Sequence, residues 1–529
     1  MLIHKRWLGA IAVALVIAAG FTSCASDTPP DEAAASATIG VGTDDGNDSS
    51  DAAAMDDAAM DDAAMDDAAM DEDEADGAMA DPDATPWPTP TPVPDEAIIP
   101  TAGAASGFGD PPPVLTTDTY SEELQINLDA AFGGVLIDGA IFNDQGLDML
   151  EPIRESGDVR LAWLLSDALR FAGPGLRNRA SDIAGELMGF EPGLTNPWND
   201  VTNRLIAWDI PAPPDYQRYK ENIFTTLAAE WQPFFDGDND IDFRHLSWGG
   251  VRIDDRPFDE TDTPCNCIPA ADNPTISTVA EAGWLEPDTV VFGVVINGEA
   301  RAYPRQIMEV REMVNDTLGG RDIGMPYCTL CGSAQVYYTD NLPDGFDRPV
   351  LRTSGLLSRS NKFMYDLTTF SAIDTFTGRA ISGPLFDAGI VLDQVSVATT
   401  RWSDWAAAWP ETTVLTEDLA LGRNFDFRDG RDSDGPIFPV GDVDPRFEIQ
   451  ADVLGVITPS GDALAVHVDA AVRELRRGNE VTIGDVVVEL FGGGLRARGV
   501  NGDDLGTHQA FWFAWSQFHP DTAVWPESA

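Results

Sequence analysis

The stretch Val290-Val291-Phe292-Gly293-Val294-Val295-Ile296, then Asn297-Gly298, then Glu299-Ala300-Arg301-Ala302-Tyr303, decides the fold class of the second half of this chain. A short apolar run rich in β-branched residues reads as a strand. Asn-Gly accepts the positive φ angles of a tight hairpin turn, so Glu299 to Tyr303 reads as the return strand. The pattern continues outward. Gly319-Gly320 marks another turn, Ile323 to Pro326 leads into Tyr327-Cys328, and Gln335 to Thr339 leaves as a further strand. Asn315-Asp316, just before the glycines, reads as a turn former.

The same pattern recurs. Val453-Leu454-Gly455-Val456, then Gly461-Asp462-Ala463-Leu464-Ala465, echoes the first hairpin with one residue inserted. The ends echo too: Trp405-Ala406-Ala407-Ala408-Trp409-Pro410-Glu411-Thr412 matches Trp515-Ser516-Gln517-Phe518-His519-Pro520-Asp521-Thr522. Two landmarks in one order predict two related β-rich units.

Upstream, from about Glu122 to Phe235, apolar residues recur at helical spacing. Val159 to Leu169 predicts one amphipathic helix, Ile183 to Leu187 a second that Gly189 stops, and Asn222 to Trp231 another. The alternating carboxylates of Asp236 to Asp242 resemble a calcium loop. The loop's Gly and Glu positions hold Ile241 and Ser247, which favours a solvated turn.

From Ser26 to about Pro113 the chain is Asp, Ala, Gly, Pro and Thr, with Met55, Met60, Met65 and Met70 in repeated Met-Asp-Asp-Ala-Ala units. Five is neither a helical nor a strand period, and the Asp pairs repel, so the segment reads as an extended, disordered tether. Capture of a soft metal by Met and Asp is the rival reading, without converging ligands. Before it, Lys5 and Arg6, the apolar run Leu8 to Phe21 and small residues form an export signal. Phe21-Thr22-Ser23-Cys24 resembles the lipobox of bacterial lipoproteins, which implies lipidation of Cys24; cleavage near Ala25, giving a soluble secreted protein, is the alternative.

The expected fold is α+β: signal over 1–24, tether over 25–115, helical module over 116–245, a first β-rich unit over 246–430 and a second over 431–529. Composition narrows the partners. The 529 residues carry 89 Asp+Glu against 32 Lys+Arg, a formal charge of -57, with only Lys5, Lys220 and Lys362 as lysines. Binding phosphates needs clustered cations, which excludes a nucleic-acid partner. A lipid on Cys24 is the expected membrane contact, and no ligand or protein partner is readable.

Five ordered motifs carry a family resemblance: Ile268-Pro269-Ala270-Ala271-Asp272-Asn273-Pro274, Gly298 to Pro304, Val314-Asn315-Asp316-Thr317-Leu318-Gly319-Gly320, Tyr327-Cys328-Thr329-Leu330-Cys331-Gly332-Ser333 and Phe376-Thr377-Gly378. Together they resemble the domain-of-unknown-function family 3179 over about Trp248 to Trp525. The resemblance implies secreted or anchored bacterial and archaeal proteins and no established activity. Arg311 stands where the family has His, Thr329 where it has Pro, and Cys267 where it has Gly.

Beyond Cys24, four cysteines remain, as Cys265/Cys267 and Cys328/Cys331. Three readings stand. Thiolates could hold zinc, since a CxxC turn followed by Gly resembles a zinc knuckle. Export permits disulfides. A CxC ring would be strained, so Cys265 and Cys267 are expected to bridge to the CxxC pair. Finally, CxxC could be redox-active through a lowered thiol pKa, although its flanks read as strands rather than a helix start. Haem attachment is excluded by Gly332. No cofactor is firmly implied; zinc is the one the metal reading would take. Asn315, Asp316 and His508 are the remaining candidates for a polar site, with catalytic residues unknown. His467 and His519 read as packing residues. Ser354-Gly355 lacks the pattern of a nucleophile elbow, and no phosphate loop exists. The leading expectation is a binding or envelope-interaction module stapled by its cysteines; a metal or thiol redox enzyme is the alternative. A buried, paired cluster favours the staple. Thiols exposed in an apolar pocket favour the enzyme.

Overall fold

The structure is a computed structural model that describes residues 97–98, 107–133, 144–260, 263–417 and 432–526. The export signal, Cys24 and the Met-Asp-Asp-Ala-Ala repeats lie outside the described residues. The described part is mixed α+β, a helical module followed by β-rich units, within one compact unit, Trp87–Ala529. No helix among the described residues is long and apolar enough to cross a membrane.

The helical module holds Glu122–Phe132, Ala162–Leu169, Pro174–Met188, Pro197–Ala207 and Tyr216–Leu227. Local chemistry sets the ends. The Ser121 side chain accepts from the Leu124 N–H at 3.2 Å, and Gly189, at φ 72, closes the Pro174–Met188 helix. Ala162–Leu169 is not the one-sided helix its spacing predicts. All eight residues are buried, because neighbouring helices and the sheet cover every side. Its one carboxylate, Asp167, is held by Lys220 Nζ and the Tyr216 hydroxyl, both at 2.8 Å. The module shares a continuous apolar core with Leu356, Phe363 and Tyr365 of a four-stranded sheet. Asp236 to Asp238 form bends, and Asn239 bridges to Ser382. There Asp240 pairs with Arg379 at 2.9 Å and Asp242 with Arg244 at 2.7 Å, so cations of the chain take these carboxylates.

The two β-rich units share a topology. In the first, Val290–Ile296 and Glu299–Pro304 form a hairpin, with Ala398–Arg401 antiparallel outside one strand and Thr413–Leu415 parallel outside the other. In the second, Asp452–Ile457 and Ala463–His467 form the hairpin, with His508–Phe511 antiparallel and Ala523–Trp525 parallel. Each hairpin carries a glycine at the same register, Gly293 opposite Ala302 and Gly455 opposite Ala465. A tryptophan ring sits on each glycine: a Cβ would come 2.3 Å from Trp405 at Gly293 and 2.0 Å from Trp515 at Gly455. Trp405 Nε1 donates to Thr412 and Trp515 Nε1 to Thr522, each at 3.0 Å. The sequence echoes are therefore one packing device built twice. His519 lies against Trp515 with ring centroids 4.3 Å apart, in the place that Trp409 takes beside Trp405 at 6.0 Å.

The units also cover one another. In the second unit, Val486–Phe491 turns at Gly492-Gly493 into Gly494–Gly499, and Phe491 packs on Trp405 of the first. In the first unit, Arg321–Cys328 turns through Thr329 to Gly332 into Ser333–Ala334. That turn meets the second unit, where Phe511 N–H donates to the Cys331 carbonyl at 2.8 Å. The CxxC motif thus occupies a turn that its counterpart makes with two glycines.

Candidate functional site

The cysteines do not pair as the sequence suggests. Cys265 and Cys267 form a disulfide with each other, whereas Cys328 and Cys331 are free buried thiols. The expectation that the CxC thiols would bridge to CxxC is corrected: the chain bends at Asn266, which brings the two Cα atoms to 5.1 Å, within disulfide reach. Nor do the four thiols form one zinc site. Among the described residues the only group of three potential metal ligands within 4.8 Å of one another is Asp254, Cys265 and Cys267. As it stands this donor set does not suit a cation. Its sulfurs are joined, and Asp254 is taken by Arg256 Nε at 2.7 Å, Arg256 Nη2 at 2.8 Å and the Ala270 N–H at 2.9 Å.

The strand Arg321–Cys328 delivers Cys328 to the end of a sheet, and the turn brings Cys331 back beneath it. Cys331 Sγ donates to the Ser360 carbonyl at 3.1 Å. Beside it lies a buried ion pair, Lys362 Nζ to Glu312 at 2.6 Å, with Lys362 also donating to the Glu312 carbonyl at 2.8 Å. Thr329, between the cysteines, donates to Glu312 at 3.2 Å. The surroundings make the two thiols unequal. Burial pushes the Cys328 thiol up and Glu312 adds to this. The hydrogen bond from Cys331, the Lys362 charge and the Lys362 backbone N–H outweigh both, so Cys328 lies below its ordinary value. Burial and the same hydrogen bond hold Cys331 well above its own.

The three other polar candidates do not meet. Asn315 and Asp316 lie on the strand Met313–Leu318, and the turn starts only at Gly319, so their reading as turn formers is corrected. Successive strand residues face opposite ways. Asn315 donates to Asp272 at 2.8 Å, in a buried network where Arg352 Nη1 reaches Asp272 at 2.8 Å. Asp316 accepts from Arg301 at 2.6 Å and Tyr303 at 2.8 Å. Both serve packing: their polar atoms are spent on internal partners. Arg311, standing where the resembling family has His, donates to the Ala270 carbonyl at 3.1 Å and pairs with Glu417. His508 alone stands near the dithiol face, and burial, with His519 nearby, lowers its pKa to about 3. Sequence reasoning missed Lys362, Glu312 and Ser360. Lys362 had one signal, as one of three lysines in a strongly acidic chain.

The ordered motifs around this dithiol have a counterpart among protein families. Residues 265–493 match the family described as a protein of unknown function, DUF3179. This region belongs to that family. The match starts at the disulfide and ends at the Gly492-Gly493 turn, short of the 248–525 span of the motif resemblance. The matched region thus includes the CxxC turn, Glu312, Ser360 and Lys362, but not the strand His508–Phe511 or Gln517, whose Oε1 accepts from the Ser360 hydroxyl at 3.0 Å. No curated protein and no solved structure matches the chain.

Proposed function

We propose that the DUF3179 region is a thiol redox module in which Cys328 and Cys331 cycle between dithiol and disulfide. The carrying observation is that one turn holds two free buried thiols that both approach the Ser360 carbonyl, with the Lys362 charge favouring the Cys328 thiolate while Cys331 is held up by burial. A low-pKa thiolate attacks and a neighbouring thiol resolves, which is the division of labour a redox pair needs. A staple reading has less support, because the counterpart turn packs with Gly492-Gly493 and no sulfur. The thiols are buried yet unpaired.

The acidity claim is checked by thiolate absorbance near 240 nm against pH. With both cysteines present, one thiolate is expected to appear below the ordinary thiol range of about 8.5 and the second well above it. Equal midpoints would remove the support.

The reading includes export. The basic start, the apolar run and the lipobox-like Cys24 support a chain tethered to the outer face of a cell membrane by the acidic linker. Cys24→Ser is then expected to move the protein from the membrane fraction to the soluble one; an unchanged distribution would count against the anchor.

A further inference from the structure

The sheet face that carries Cys328 is buried and holds several polar side chains without hydrogen-bond partners. Register shows which residues share it. Ser333 lies opposite Cys328, the Gln335 N–H donates to the Pro326 carbonyl at 3.1 Å, and Tyr337 lies opposite Gly324. No bulge intervenes, so Cys328, Ser333, Gln335 and Tyr337 stand on one face. Tyr327, Ala334 and Val336 stand on the other, in an apolar core. Gln394 lies opposite Tyr337 and reaches His508 Nδ1 at 2.7 Å, which brings the imidazole over the same face. The Gln394 amide donates there, so the His508 proton sits on Nε2. Thr375 joins through its carbonyl, which accepts from the Tyr337 hydroxyl at 2.9 Å.

Ser333 Oγ, both polar atoms of the Gln335 amide, Thr375 Oγ1 and His508 Nε2 have no hydrogen-bond partner, and none of these residues is more than 2% exposed. A buried orphan costs about 1–3 kcal/mol, and native proteins rarely gather several in one place without a bound species. The orphans are all uncharged and include donors and an acceptor, which suits a small neutral molecule able to do both. Cys328 is 2% and Cys331 0% exposed, which keeps a protein disulfide from reaching their sulfurs.

We infer that this face is a cradle for a small hydroperoxide, the oxidant of Cys328; the inference rests on the redox reading above. The Cys328 thiolate attacks one peroxide oxygen and the O–O bond breaks, giving a sulfenic acid on Cys328. With hydrogen peroxide, the smallest such oxidant, the other oxygen leaves as hydroxide, takes a proton and becomes water. The Cys331 thiol then attacks the sulfenic sulfur. The S–S bond forms, and the sulfenic oxygen leaves with the thiol proton as a second water. The peroxide is reduced by two electrons and the dithiol is oxidised by two. The His508 Nε2–H and the Gln335 amide supply donors to the departing oxygen.

The test oxidises the full chain with hydrogen peroxide and, separately, with diamide, a small oxidant without an O–O bond. The variants are Gln335→Met, close in volume, and Ser333→Ala, which removes only a hydroxyl that has no protein partner. Each is expected to slow the peroxide reaction about tenfold, the value of one hydrogen bond, and to leave the diamide rate unchanged. Unchanged peroxide rates in both variants, with diamide still forming the disulfide, would overturn the cradle, mark it as a site for ordered water and leave the redox reading intact. Failure of both oxidants on the wild-type chain would overturn the redox reading and the cradle with it.

Discussion

Lys362→Met is expected to destabilise the folded chain by about 3–5 kcal/mol, the usual cost of removing one partner from a buried ion pair. The arrangement leaves Glu312 little alternative. Lys362 lies 2.6 Å from one carboxylate oxygen, the Thr329 hydroxyl is the remaining side-chain donor at 3.2 Å, and both members of the pair are buried. Methionine fills the volume but cannot hold the charge. Lys362→Met combined with Glu312→Gln is therefore expected to recover most of the loss, since the carboxylate goes with its partner. Denaturant unfolding of the two variants measures this. A single-variant loss under about 1 kcal/mol would mean that the pair acts as if it were on the surface. The same substitution removes a charge that favours the Cys328 thiolate, so it raises the Cys328 pKa while the backbone N–H of Lys362 remains.

Much of the scaffold could be read from residues. Asn297-Gly298 marks a hairpin because its two residues accept φ of 51 and 86, which few others do. The repeated Gly and Trp landmarks are legible because a ring resting on backbone demands both residue types at once, and the duplicated sheet follows. The dithiol site was half legible. CxxC stands out as a motif, but its partners come from far along the chain. Lys362 reaches Glu312 across 50 positions and His508 meets Gln394 across 114, and no periodicity carries such pairings. Asn315-Asp316 misled because turn-forming types also cap buried networks: only tertiary context placed Arg352 and Arg301 against them. The CxC pair misleads in the opposite sense: ring strain argues against a bond between neighbours in sequence, but the fold brings no other thiol to them among the described residues.

The second large effect is all-or-none. Oxidation is expected to join Cys328 to Cys331 within the folded chain. Both sulfurs approach one acceptor, the Ser360 carbonyl, at 4.0 and 3.1 Å, and they sit three residues apart on one turn, so closing the bond needs little movement. Gly332, at φ 58, supplies the left-handed residue that lets the turn close, and a Cβ there would come 2.9 Å from the Phe511 ring. Cys265 and Cys267 are already joined and take no part. Thiol exchange with them would need the two pairs to meet, which among the described residues they do not. The most direct measurement is intact mass with peptide mapping of the folded chain, first reduced under mild conditions, then oxidised, then reduced again. The account predicts a reversible loss of two hydrogens, located in a Cys328–Cys331 linked peptide, with the Cys265–Cys267 link unchanged throughout. Thiols at 328 and 331 that stay free under oxidant, or that pair with Cys265 or Cys267 instead, would contradict it.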